Sequence, residues 1–125
     1  MINAKRILLV DDDADHLLIC KLLFERRGYE VLPLMGCQRI EELAEIIDAF
    51  KPELIFMDHF MPGIGGMDAT KMLKSNPEYG SIPVIYFSNH EDLERVANEA
   101  GADAYFKKPF RTEGLIQIAK SKLPT

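Results

Sequence analysis

Five times along this chain of 125 residues, a short and mainly apolar run is followed by a stretch whose apolar positions recur every three or four residues. The runs cover residues 6–10, 29–34, 53–57, 82–87 and 103–106; the periodic stretches cover 14–27, 38–50, about 67–74, 91–100 and 111–122. Runs such as Ile7-Leu8-Leu9-Val10 are apolar at successive positions, so both faces of the strand must be covered. Parallel strands joined by helical crossovers meet that demand, and each strand-helix pair takes about 25 residues, as such units do. Gly28 and Gly101 close the first and fourth helices, Lys51-Pro52 resets the chain, and Ser75-Asn76-Pro77 terminates the third helix. Right-handed crossovers leave two common doubly wound orders. Five strands match 2-1-3-4-5, an α/β, flavodoxin-like (βα)5 fold in which the first and third strands are neighbours. With 47% hydrophobic and 28% charged residues, and no internal repeat or linker, residues 1–125 make one domain.

Asp58 ends the third run, and the chain then breaks into His59-Phe60-Met61-Pro62-Gly63-Ile64-Gly65-Gly66. In an open parallel sheet the carboxyl ends of the strands face the ligand crevice. Asp11 and Asp12 end the first run, and neighbouring strands lie about 4.8 Å apart, so the three acids converge on one small volume. Mutual repulsion calls for a cation among them, and an all-oxygen set on loops suits Mg²⁺, which takes few protein ligands and keeps several waters. Ser88 ends the fourth run. Lys108 follows the fifth, about 10 Å from the third strand, a gap that its long side chain largely closes.

Other chemistries find less support. A net charge of −5 argues against nucleic acid as the main partner, because phosphate binding needs a basic face. No apolar run approaches the roughly 20 residues of a membrane span, and no secretory signal is present, so a cytoplasmic protein is the default expectation. Cys20 and Cys37 match no metal spacing and read as reduced, structural thiols. His16, His59 and His90 likewise show no ligand spacing, which favours surface or supporting roles. The methionines read as core filling.

The segments Ile7-Leu8-Leu9-Val10-Asp11-Asp12-Asp13, Leu54-Ile55-Phe56-Met57-Asp58 with Met61-Pro62-Gly63, Val84-Ile85-Tyr86-Phe87-Ser88 and Ala104-Tyr105-Phe106-Lys107-Lys108-Pro109-Phe110, in that order, resemble the receiver domain of two-component response regulators. The resemblance covers the whole chain. It implies that Asp58 is the phosphoacceptor, attacking a phosphohistidine on a sensor histidine kinase or histidine phosphotransfer protein. Asp12 would bind Mg²⁺ directly and Asp11 largely through water, with Asp58 and the backbone carbonyl of Phe60 completing the protein ligands. Lys108 and Ser88 would hold phosphoryl oxygens. The Lys108-Pro109 bond would be cis. Ser88 and Tyr105 would form a switch that remodels the face of the fourth helix, fifth strand and fifth helix, where a downstream protein partner binds. Such a protein catalyses only its own phosphorylation and dephosphorylation, and is not otherwise an enzyme.

Some positions depart from the familiar pattern. Phe60, two after Asp58, and His90, two after Ser88, sit where the family tunes autodephosphorylation. Asn89 is larger than the small residue usual beside the switch hydroxyl, and Gly65-Gly66 implies a mobile loop. Simpler roles compete: Asp13 as a helix cap, Ser88 as a cap in a box with Glu91, and Tyr105 as a partly buried strand aromatic. The alternative function is a pseudo-receiver that binds partners regardless of phosphate. An aspartate-nucleophile phosphatase generally carries an acid two residues after its nucleophile, where this chain has Phe60. A flavin protein of this fold needs a phosphate loop after the first strand, where this chain has three Asp residues.

Overall fold

The structure, a computed structural model, describes residues 5–108 and 111–123. Along the chain run β1 (Arg6–Val10), α1 (Ala14–Glu25), β2 (Glu30–Leu34), α2 (Ile40–Phe50), β3 (Leu54–Met57), α3 (Gly66–Ser75), β4 (Val84–Ser88), α4 (Leu93–Ala100), β5 (Ala104–Lys107) and α5 (Thr112–Lys122). The five strands form one parallel sheet in the order β2-β1-β3-β4-β5, the arrangement expected of the sequence.

Alternate side chains of a strand leave opposite faces, and here both sets are buried. Leu8, Val10, Ile55, Met57, Val84 and Tyr86 enter one cluster with Leu43 and Ile47 of α2, Leu73 of α3 and Val96 of α4. Ile7, Leu9, Leu54, Phe56, Ile85 and Phe87 enter the other with Leu17, Cys20 and Phe24 of α1 and Leu115 of α5. This double covering is why the strands are apolar at successive positions. Cys20 and Cys37 are free, buried thiols, and burial pushes Cys20 up to about 12. No helix among the described residues is long and apolar enough to cross a membrane.

Local bonding moves several boundaries from the sequence expectation. α1 ends at Glu25 rather than at residue 27, because the N–H groups of Arg27 and Gly28 turn back onto Phe24 and Glu25, and Gly28 takes φ +89°. β4 starts at Val84 rather than at 82, because the Ile82 N–H is bonded to the Tyr79 carbonyl and Pro83 has none to offer. It continues through Ser88, and β5 through Lys107. β2, α2, β3 and α5 start one or two residues late, and α3 gains one residue at each end. α2 closes on Lys51 in the left-handed region at φ +55°, unusual for a residue with a side chain.

Candidate functional site

Strand pairing sets the first two acids in step. Val10 lies opposite Met57, so Asp11 and Asp58 leave β1 and β3 at the same level. The Asp58 N–H donates to the Val10 carbonyl at 2.9 Å and the Asp11 N–H to that of Leu34 at 3.0 Å. Both residues are only 4% exposed, while Asp12 is exposed. One oxygen from each of Asp11, Asp12 and Asp58 lies within 4.8 Å of the others, the convergence anticipated from strand order.

Among the described residues, one lysine reaches this acidic cluster. Lys108 Nζ donates to Asp11 Oδ2 at 2.6 Å and to Asp58 Oδ2 at 3.4 Å, so the lysine reaches both strand ends but sits closer to the first. His16, on the first turn of α1, places Nδ1 2.8 Å from the same Asp11 oxygen, and the Asp13 N–H donates to Asp11 Oδ1 at 3.1 Å. Asp11 is thus bonded on both oxygens. Burial pushes its carboxyl up, but His16, Lys108 and the Asp13 amide together hold it well below the usual carboxylate range. Asp58 goes the other way. Burial pushes it up to about 6, the Asp11 charge adds to the push, and Lys108 and Ser88 oppose it. The site therefore holds one firmly ionised acid beside one that keeps its proton more tightly than a free carboxyl does.

The donor set fits a hard divalent cation. It is all oxygen, it carries more negative charge than Lys108 neutralises, and the exposure of Asp12 leaves coordination places for water. Asp13 is not part of it: its Oδ1 accepts from the N–H groups of Asp15 and His16, and so caps α1 as the simpler reading expects.

Ser88 is fully buried at the end of β4, and its Oγ accepts from the His90 N–H at 3.3 Å. The capping box with Glu91 does not form. α4 begins at Leu93, because the Asp92 N–H turns onto His90 Nδ1 at 2.9 Å and the chain from Ser88 to Asp92 follows these side-chain bonds instead of a helix. Tyr105 corrects a second expectation: on the edge strand β5 it is 41% exposed rather than partly buried, and its hydroxyl donates to Glu94 Oε2 of α4 at 3.0 Å. Pro109 lies outside the described residues, and with it the expected cis bond.

The β3–α3 loop is tied rather than slack. The Ile64 N–H donates to the Cys37 carbonyl and the Gly66 N–H to that of His59. A side chain at Gly66 would collide with the Asp58 carbonyl oxygen, and one at Gly63, at φ +77°, with that of Cys37. Gly66 thus serves close approach of α3 to Asp58. On this loop His59 Nδ1 lies 2.8 Å from the hydroxyl of Tyr86, a fully buried residue of β4. Phe60, 51% exposed, stacks on His90 with centroids 5.5 Å apart.

Spacing did not reveal His16, the His59–Tyr86 pair or Glu94. Each acts through contacts between elements that local spacing does not encode, and His16 alone carried a signal, its place on the turn after the acids.

The model of the response regulator receiver domain family matches residues 7–120. The chain is 35% identical over 121 residues to the phosphate regulon transcriptional regulatory protein PhoB of Pseudomonas aeruginosa, covering 95% of this chain and 52% of that protein. It is 32% identical over 122 residues to the polar-differentiation response regulator DivK of Brucella anthropi, covering 95% and 96%. Among solved structures, a CheY-like response regulator receiver domain protein from Methanospirillum hungatei aligns with a TM-score of 0.82 at 29% identity, covering 96% of this chain and 94% of that one.

Proposed function

We propose, since the chain belongs to the response regulator receiver domain family, that it is a phosphorylatable switch of a two-component relay whose phosphoacceptor is Asp58. Receiver domains work with histidine kinases and downstream effectors as signalling switches rather than as turnover enzymes. A carboxylate oxygen of Asp58 attacks the phosphorus of a phosphohistidine on a sensor kinase or phosphotransfer protein. The P–N bond breaks, and the imidazole leaves with the electron pair.

Asp12, Asp58 and the Phe60 carbonyl would hold Mg²⁺, with Asp11 assisting through water, in keeping with the exposure of Asp12 and the fully bonded Asp11 oxygens. When bound, the ion supplies positive charge for the equatorial phosphoryl oxygens. Lys108 moves from its bond with Asp11 to hold a phosphoryl oxygen, and the Ser88 hydroxyl holds another. Among the described residues the hydroxyl of the outward Tyr105 bonds only Glu94, so the ring exchanges positions when Ser88 shifts, and α4, β5 and α5 form the output face for a protein partner. The protein acts in the cytoplasm.

The observation that carries this reading is the pair of buried acids, Asp11 and Asp58, bridged by Lys108 beside exposed Asp12. Intact mass after incubation with Mg²⁺ and acetyl phosphate tests it, alongside Asp58→Asn and a chelator control. One Mg²⁺-dependent phosphoryl adduct, absent from the variant, is expected. No adduct in the unaltered protein with several donors would establish instead a pseudo-receiver that binds its partners irrespective of phosphate.

A further inference from the structure

Asp11 has a second side-chain partner on the very oxygen that Lys108 holds. His16 Nδ1 lies 2.8 Å from Asp11 Oδ2 and Lys108 Nζ 2.6 Å from the same atom, one reaching it from α1 and the other from the residue after β5. The cap on α1 places the first of them: Asp13 Oδ1 accepts the His16 N–H at 3.2 Å, which starts the helix with the imidazole beside the end of β1. Phe87 of β4 lies against both groups, its ring 5.0 Å from that of His16 and 5.5 Å from Lys108 Nζ. The side chains of His16, Lys108 and Asp11 are 18%, 16% and 5% exposed, so they meet largely out of water.

The neighbours decide which ring nitrogen carries the proton. Asp11, with an ammonium on its Oδ2, is an ionised acceptor, so Nδ1 must bring the hydrogen of this bond. On the other side of the ring Cys20 Sγ lies 3.8 Å from Nε2, and a buried thiol is a weak donor suited to a bare ring nitrogen. The recess between the imidazole and the sheet has a volume of about 10 Å³, and Leu9, Leu17, Phe56 and Phe87 are among its walls. That is the bare minimum for one water and offers it few polar partners, so solvent is a poor stand-in for His16.

We propose that His16 is a positioning residue for phosphoryl transfer: it stays on Asp11 Oδ2 when Lys108 leaves that oxygen for the phosphoryl group, so that the lysine departs without stranding a buried carboxylate. The proposal rests on Asp58 being the phosphoacceptor. With acetyl phosphate as donor, an Asp58 oxygen bonds to phosphorus, the P–O bond to acetate breaks, and acetate leaves with the electron pair. His16 touches none of these atoms; it acts through Asp11. An acceptor left without a donor out of water is costly, and a charged one more so. With His16 in place, Oδ2 keeps one donor throughout the move, while the Asp13 N–H keeps Oδ1.

The test measures initial rates of adduct formation by intact mass, with acetyl phosphate over a series of Mg²⁺ concentrations, in the unaltered protein, His16→Phe and His16→Asn. Phenylalanine keeps a ring against Phe87 and loses the donor. Asparagine loses the ring, but its Nδ2 stands as many bonds from the backbone as Nδ1 does and still donates. At the Mg²⁺ plateau His16→Phe is expected to react about three- to tenfold more slowly, the factor that one hydrogen bond of ordinary strength carries. His16→Asn is expected to stay within about twofold of the unaltered protein, and the half-saturating Mg²⁺ concentration to be the same in all three. A packing role predicts the reverse order of the two variants. Long-range nitrogen–proton NMR spectra of the unaltered protein locate the ring proton, and the imidazole signal that His16→Phe lacks is expected to show it on Nδ1. Asparagine failing to outpace phenylalanine, a loss in His16→Phe that disappears at high Mg²⁺, or a bare Nδ1 overturns the role of His16 while leaving the phosphoacceptor intact. Absence of any adduct in the unaltered protein overturns both.

Discussion

The two ends of the sheet handle charge in opposite ways. At the amino ends of β4 and β5, Lys74 donates to the carbonyls of Gly80 and Ile82 at 3.2 and 2.7 Å and pairs with Asp103 at 2.5 Å. Asp103 in turn accepts the Val84 N–H at 2.7 Å. Every group there has its counterpart. At the carboxyl ends, Asp11 and Asp58 share Lys108 beside Asp12, and burial presses Asp58 toward its neutral form. One end is matched and holds the fold together; the other is left with excess negative charge at a cost in stability, which suits it to a cation.

The comparison breaks most easily at the matched end. Lys74→Met leaves Asp103 and two carbonyls short of a partner and is expected to destabilise the protein by about 2–3 kcal/mol in urea unfolding, a figure lowered by the partial exposure of Asp103. If the loss is under about 0.5 kcal/mol, the two ends are not different in kind.

At the other end, removing a charge should stabilise. Asp58→Asn is expected to gain about 1–3 kcal/mol at neutral pH without divalent ions. The sign follows from linkage. The folded Asp58 carboxyl, at about 6, lies above its ordinary 3.8, so the fold binds the proton more tightly than the unfolded chain does. The contribution of Asp58 to stability is therefore fullest below its ordinary value and is lost as pH rises through the folded one. The advantage of the variant should grow between about pH 4 and pH 6 and level off above about pH 7. A gap between the two proteins that does not change across that window would remove burial of Asp58 as the cause.

A cation should close the same gap. Mg²⁺ at ten times its dissociation constant is expected to stabilise the unaltered protein by about 1.4 kcal/mol and Asp58→Asn by clearly less, read as shifts in melting temperature. Equal shifts would place the ion elsewhere. The smallest effect concerns Lys51, which stands in the left-handed region beside β3 at the matched end. Lys51→Gly relieves that backbone and is expected to raise stability by up to about 1 kcal/mol with no change in phosphoryl uptake.

The acids were legible because a strand end and a strand order are both written in local patterns: an apolar run fixes where Asp11 and Asp58 leave the sheet, and the crossover rule makes their strands neighbours. Lys108 followed because its side chain is long enough to tolerate an approximate placement. Ser88 was legible as a strand end but not as the start of a side-chain-bonded turn, because the rival capping pattern of Ser88 and Glu91 is equally well formed in sequence and only the His90 and Asp92 bonds decide against it. The pairs Tyr86–His59 and Lys74–Asp103 were not legible. Each joins side chains 27 or more positions apart, and neither period nor spacing encodes which of several polar groups will meet in the fold. Tyr105 was placed too deep although the expected strand order already puts its strand at the edge of the sheet.

The packing of α3 against Asp58 also bears on how such a chain can vary over time. Gly63 and Gly66 have neighbouring backbone where a side chain would begin, while Gly65 has nothing nearer than 3.9 Å. Of three glycines within four positions, only the middle one is free to drift. Gly63 sets how closely this loop lies against Cys37 and Gly66 how closely α3 lies beside Asp58, so a side chain at either would displace backbone before it touched the chemistry.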